Sequence, residues 1–316
     1  MVNTRSYPIV TGTFIQPFVA TKYDLAKWKE HFERLLEVGI HIFILQWTAD
    51  TPYGRFKDCC YQTALSADNA LEEYVCHSDC VKEMLEAAKQ TGMQVFLGLN
   101  VSDEWWNFNR IETDWGEKQA AIGVGMAKEL YEKYYGEYSQ VFAGWYWAWE
   151  LYNHMPDELA DTGSRFMNLY IEGLEKIDPS LPIMFSPFLN QKASPEATKR
   201  AWCRFFEASK LRKGDIFCCQ DSIGAGFVDI ENIESLYNAV AEAVKTKDGL
   251  EFWANNENFS PDFTAAPVSR FAKQLRLTDK YVSRHVTFSY SHYYHPFRSA
   301  ALHEQYKKYY QNGNES

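Results

Sequence analysis

The chain has 316 residues, 46% of them hydrophobic and 16% aromatic, with 32 basic against 42 acidic side chains and a net charge of -10. That composition excludes a disordered chain, and the acidic balance argues against a nucleic-acid partner, which needs clustered Lys and Arg. No run of about 18 apolar residues occurs, so no transmembrane helix or membrane partner is expected; the start Met1-Val-Asn-Thr-Arg-Ser-Tyr-Pro8 has no apolar signal core, and a cytoplasmic protein is expected.

Strand-like runs alternate with helical ones along the whole chain. The strands are expected at Gly12–Phe18, His41–Trp47, Gln94–Asn100, Phe142–Glu150, Pro182–Phe188, Asp215–Ser222, Glu251–Glu257 and Val286–Tyr293. Most are apolar on both faces, as in Val95-Phe-Leu-Gly-Leu99, which fits strands covered on both sides. Amphipathic helices are expected at Lys22–Val38, Cys80–Gln90, Gly116–Tyr138, Thr162–Ile177, Ser194–Lys210, Ile230–Lys245, Pro267–Ser283 and Arg298–Tyr310. Eight strand–helix pairs argue for parallel strands with crossover helices. A doubly wound sheet would show a Gly-rich turn after its first strand, and Phe14-Ile-Gln-Pro-Phe18 is not one. The expected fold is therefore α/β, a (β/α)8 TIM barrel forming a single domain over residues 1–316, with a frayed tail at Asn312–Ser316. Two stretches exceed an ordinary loop, Thr48–Ala70 and Val101–Trp115; the second contains Asp103-Glu-Trp-Trp-Asn-Phe-Asn109. Both follow barrel strands and so belong to the functional face.

Seven cysteines show no disulfide framework. Cys76 and Cys80 lie at i and i+4 on a predicted helix with His77 between, but no further ligands stand out, so buried reduced thiols are expected rather than a metal site. The chain lacks a phosphate-binding loop, a His-Glu-x-x-His, a Cys-x-x-Cys pair and a Gly-x-Ser-x-Gly elbow; no cofactor and no metal are implied.

Two strand endings carry the strongest chemical signal. Strand four ends Gly144-Trp-Tyr-Trp-Ala-Trp-Glu150 and strand seven ends Trp253-Ala-Asn-Asn-Glu257. Catalytic groups of such barrels sit at C-terminal strand ends, and glycosidic cleavage is most often run by two carboxylates. Strands four and seven lie three apart around the ring, so Glu150 and Glu257 face one another across the mouth. Indoles beside Glu150 favour it as the proton donor and Glu257 as the nucleophile. Around them, Gln16, Gln46 with Trp47, and Asn100 end strands one to three, where amides either hold sugar hydroxyls or shape turns. Asp221 ends strand six, as a sugar ligand, a member of the catalytic pair, or a structural hydrogen-bond acceptor. Ser289–Pro296 ends strand eight, where His292 lies either at the mouth or as an ordinary hydrogen-bonded core or loop histidine, and either Tyr290 or Tyr293 is placed to orient the nucleophilic carboxylate. Trp47, Trp105, Trp106 and Trp149 are candidate stacking surfaces for sugar rings, whereas Trp28 and Trp202 on helices are expected in the core.

Gly12-Thr-Phe-Ile-Gln16, Gly144-Trp-Tyr-…-Glu150, Gln220-Asp221-Ser-Ile-Gly224 and Trp253-Ala-Asn-Asn-Glu257-Asn-Phe259 together resemble the DUF4434 family, over nearly the whole chain. The resemblance implies a (β/α)8 fold and a carbohydrate-active site of glycoside-hydrolase type, with no settled substrate. Strands four and seven also resemble a large retaining glycosidase clan that carries its acid/base and nucleophile glutamates there. That clan usually places Asn just before the acid/base glutamate, where it contacts the sugar 2-hydroxyl; here the position is Trp149.

The reading with most support is a glycosidase acting on a small oligosaccharide or glycoside through Glu150 and Glu257, retaining rather than inverting. Its rivals are a non-catalytic carbohydrate-binding barrel and a metal-assisted isomerase or lyase using Glu150, Asp221, Glu257 and His292. Oligomeric state is not legible in the sequence.

Overall fold

A computed structural model of the protein describes residues 6–107 and 114–313. Eight parallel strands close into a barrel: β1 Gly12–Ile15, β2 Ile42–Leu45, β3 Gln94–Gly98, β4 Phe142–Trp147, β5 Ile183–Phe185, β6 Ile216–Gln220, β7 Glu251–Asn255 and β8 Arg284–Thr287. Each pairs with its chain neighbours and β8 returns to β1, with Gly12 opposite Val286 and also opposite Ile42. The fold class read from the sequence is the one observed.

The outer layer is α1 Leu25–Leu36, α2 Cys80–Thr91, α3 Asp114–Leu130, α4 Asp157–Ile177, α5 Pro195–Ala208, α6 Ile233–Val244, α7 Val268–Thr278 and α8 Ala300–Asn312. Their limits follow from local chemistry. Asp24, Ser194 and Ser299 accept backbone N–H bonds at the starts of α1, α5 and α8. Gly92 closes α2 with a left-handed φ of 80°, which a side chain would strain.

Strand alternation sorts the core into two. Phe14, Ile42, Ile44, Phe96, Tyr146, Met184, Ile216, Cys218, Trp253 and Val286 fill the barrel interior. Alternate residues such as Trp145, Trp147, Phe185, Phe217 and Phe252 pack outward with the helices. Trp28 and Trp202 are fully buried in that outer core, as expected.

The long stretch after β2 is not an irregular loop. Ala49–Asp50, Phe56–Cys59 and Ala70–Cys76 form an accessory sheet with Asn100–Val101. Glu129 on α3 fastens it by accepting from Tyr61 Oη (2.9 Å), Thr63 Oγ1 (2.6 Å) and the Ala64 N–H (2.9 Å). Cys76 ends a strand of this sheet and Cys80 begins α2, so the two do not share a helix as the spacing had suggested. Phe108 and Asn109 of the aromatic loop, and Asn314–Ser316 of the tail, lie outside the described residues.

Candidate functional site

The same alternation that builds the core places the site. Continuing the inward-facing positions past each strand end gives Gln16 after Phe14, Gln46 after Ile44, and Glu150 after Tyr146 and Ala148. It also gives Phe188 after Met184, Gln220 after Cys218, Asn255 and Glu257 after Trp253, and Phe288 after Val286. All of these line one cavity of about 930 Å³ at the C-terminal mouth, with Trp47, Trp105, Trp106 and Trp149 also on its wall.

Glu150 is half-buried. Its Oε1 accepts from Gln220 Nε2 at 2.9 Å, and its carbonyl accepts from Trp105 Nε1 at 2.6 Å. Gln220 is oriented by a second bond from the same nitrogen to the Ser186 carbonyl at 2.7 Å. Burial raises the Glu150 carboxyl above its ordinary range, and the Gln220 bond opposes this.

Glu257 is 3% exposed. The Ala225 N–H donates to its Oε2 at 2.7 Å. Gly224 walls in the same carboxylate: a Cβ there would stand 2.8 Å from Glu257 Cβ and 2.9 Å from Oε2. Burial, then the Asp221 charge behind it, push the Glu257 carboxyl well above its ordinary range; Ala225 and Arg270 pull the other way, and Glu150 adds to the rise. The larger upward push thus falls on Glu257, whereas the indoles beside Glu150 had pointed to Glu150. The reasons are the enclosure of Glu257 and, after it, the Asp221 charge packed behind it.

Asp221 is fully buried and turned outward, one residue out of phase with Gln220. Its carboxylate accepts from Asn256 Nδ2 (3.0 Å), Gln274 Nε2 (2.7 Å) and the N–H groups of Ile223 and Glu257 (both 3.2 Å). It supports the β7 end from behind and does not line the cavity.

Three other sequence candidates also stand off the wall. Asn100 opens the accessory sheet, and its amide is fixed by Thr51, Gln119 and Tyr170 in a buried network. Tyr290 lies in a short helix, Tyr290–Tyr293, started by the Ser289 cap; it is fully buried, with its hydroxyl 3.0 Å from His303 Nδ1. His292 is held by burial to a pKa of about 4. Its neutral Nε2 accepts the Gln16 N–H at 3.3 Å, and its ring stacks on Phe288 at 5.6 Å. It braces two wall residues from behind. Trp105 and Trp149 contribute edges only, being 2% and 1% exposed; Trp149 turns outward and donates its Nε1–H to Tyr170 Oη at 3.0 Å. Trp106, by contrast, is 52% exposed.

Sequence reasoning missed Gln220, the Ala225 N–H and a polar wall from the accessory sheet, Asp50, Asp58 and His77. Asp50 and Asp58 oppose one another across an antiparallel pair. Burial raises both carboxyls; the Asp58 charge adds to the rise at Asp50, whereas His77 and Lys57 pull Asp58 back down. Among the described residues, no group of three or more His, Cys, Asp and Glu is placed to hold a metal ion, and no helix is long and apolar enough to cross a membrane.

A family model, "Domain of unknown function (DUF4434)", matches residues 10–300. The chain belongs to the DUF4434 family. No curated protein matches the sequence. Among solved structures, this DUF4434 protein is similar to a candidate alpha-L-fucosidase from Bacteroides thetaiotaomicron, with TM-score 0.80, 18% identity, 98% of this chain and 96% of that one covered. It is also similar to a GH113 beta-1,4-mannanase (TM-score 0.58, 11% identity, 97% and 99% covered) and to an endo-1,4-beta-mannanase from Rhizomucor miehei (TM-score 0.59, 10% identity, 92% and 88% covered). At these identities the likeness is one of fold, the same eight-stranded barrel.

Proposed function

We propose that this DUF4434 protein is a retaining glycoside hydrolase whose working pair is Glu150 and Glu257. The observation that carries the proposal is the convergence of two amide-anchored carboxylates, from β4 and β7, on the wall of one mouth cavity. The names of the structural neighbours, a candidate fucosidase and two mannanases, are in keeping with it. Lys22 is the one lysine or arginine among the described lining residues, so a neutral sugar suits the site better than an anionic one.

In the mechanism, Glu150 gives its proton to the glycosidic oxygen as the bond to the anomeric carbon breaks. An oxygen of the Glu257 carboxylate bonds to that carbon. Water then attacks the same carbon, leaves a proton on Glu150, and releases Glu257. Exposure supports these roles. The proton donor must meet the leaving group and later water, and Glu150 is the more open of the two. The nucleophile must be held still, and Glu257 is enclosed between the Ala225 N–H and Gly224.

One observation favours a second reading with the roles exchanged: the stronger upward push on Glu257, which favours keeping a proton there. Leaving-group dependence separates the two. A panel of aryl glycosides and oligosaccharides is screened with wild type, Glu150→Gln and Glu257→Gln. The first reading expects Glu150→Gln to keep activity only on dinitrophenyl glycosides, whose leaving groups need no proton, and Glu257→Gln to lose both classes. The reverse pattern exchanges the roles. If wild type cleaves no glycoside, or both variants keep full activity, the proposal fails.

A further inference from the structure

The mouth is not chemically uniform. Above a floor that includes Phe14 and Tyr146, a polar wall is made by Glu150, Glu257, Gln220 and Asn255. Its rim on the Glu150 side is a strip of apolar rings. Trp106 from the loop after β3 meets Phe188 after β5 (6.3 Å between centroids), and Phe188 meets Phe227 after β6 (5.7 Å). Tyr152, two residues beyond Glu150, lies against the same Phe188 (5.5 Å, 31°). Trp106 is 52% and Phe227 44% exposed, although both line the cavity. Open apolar rings continuous with a polar pocket mark a binding surface rather than core.

The strip is fixed to the catalytic apparatus. Phe188 bridges in parallel to Tyr152 on one side and to Gln220 on the other, and Gln220 holds Glu150. At its far end Phe227 shares a loop with Ala225, whose N–H holds Glu257. A group seated on these rings therefore lies beside the proton donor, where the leaving group must be. The two phenyl rings carry no hydroxyl or indole N–H to pair with a second sugar.

We propose that Trp106, Phe188 and Phe227 form an aglycone subsite, and that the substrate is a glycoside of an apolar, ring-bearing alcohol rather than an oligosaccharide. The inference rests on the hydrolase reading with Glu150 as proton donor. The polar wall around Glu150 and Glu257 takes the sugar, and the strip takes the aglycone as its oxygen receives the proton from Glu150.

The test uses benzyl and methyl glycosides of whichever sugar is turned over. Benzyl alcohol and methanol have nearly equal acidity, so their ratio reports binding of the ring and not leaving-group chemistry. The subsite predicts a kcat/KM for the benzyl glycoside about 10- to 100-fold above the methyl one. Phe227→Ala and Trp106→Ala each lower that ratio several-fold. Phe263→Ala, at a 76% exposed phenyl outside the cavity wall, leaves the ratio unchanged. Equal turnover of benzyl and methyl glycosides, or an unaltered ratio in both strip variants, overturns the subsite and leaves the hydrolase reading standing. Failure to cleave any glycoside overturns the hydrolase reading, and the aglycone assignment with it.

Discussion

Replacing Asp221 by alanine separates a structural carboxylate from a substrate ligand. The structure places it behind the site, accepting four hydrogen bonds. Two donors keep another acceptor after its loss: Gln274 Nε2 retains the Glu257 carbonyl at 3.0 Å, and Asn256 Nδ2 retains Thr278 Oγ1 at 3.2 Å. The backbone N–H groups of Ile223 and Glu257 have no other acceptor among the described residues. A buried donor left unpaired costs about 1–3 kcal/mol, so the two together cost about 2–6 kcal/mol, out of the roughly 5–15 kcal/mol that holds a domain folded. Relief of the buried charge, which raises the Asp221 carboxyl above its ordinary range, offsets part of this and favours the lower half. At about 2 °C per kcal/mol for a chain of this size, that lower half lowers Tm by about 4–8 °C. Asp221→Asn keeps one oxygen for the two backbone donors and falls less. The assay is thermal unfolding of ligand-free protein followed by circular dichroism. An Asp221→Ala variant melting within about one degree of wild type while losing activity would refute the reasoning and return Asp221 to the list of substrate ligands.

Gly224→Ala sets a methyl 2.7 Å from the Phe259 carbonyl and 2.9 Å from Glu257 Oε2. The carboxylate must move by several tenths of an ångström, and kcat is expected to drop by about 10- to 100-fold with little change in KM, read by steady-state kinetics. Glu257 also leaves a signature in stability. Its folded pKa is raised above the ordinary 4.5, so the folded state holds more protons and stability is lost as pH rises from about 4.5 through the folded value. Glu257→Gln removes that loss, so its Tm advantage over wild type is expected to widen between about pH 4.5 and about pH 8 in parallel melts. Tyr170→Phe strips the hydroxyl between Trp149 Nε1 and Asn100 Oδ1 and is expected to cost about 1–3 kcal/mol in urea unfolding; an unchanged midpoint would mean that the Asn100 network is not structural.

The barrel was legible because its strands are covered on both faces and read as apolar runs, while its helices carry clear amphipathic spacing. The accessory sheet was not, because its strands are either very short or, like Ala70–Cys76, largely exposed, and its Asn100–Val101 member pairs with residues about fifty positions away. Glu150 and Glu257 were legible as strand endings. The period-two alternation that sends Glu150, Gln220 and Glu257 inward also sends Trp149 and Asp221 outward, and applying it strand by strand finds Gln220 and demotes Asp221 from sequence alone. Tyr290 breaks that rule because the Ser289 cap turns the chain into a helix just beyond β8. Asn100 breaks it because the chain leaves β3 at Gly98 to join the second sheet. The pKa order of the two glutamates required tertiary facts, the burial of Glu257 and then the carboxylate packed behind it.

The most direct measurement is covalent trapping. Wild-type protein is incubated with activated 2-deoxy-2-fluoro glycosides of the sugar it cleaves, and its intact mass and peptides are read by mass spectrometry. The account predicts one sugar on the peptide that holds Glu257, absent in Glu257→Gln. Turnover without any trapped sugar, or a sugar carried on Glu150, would contradict it.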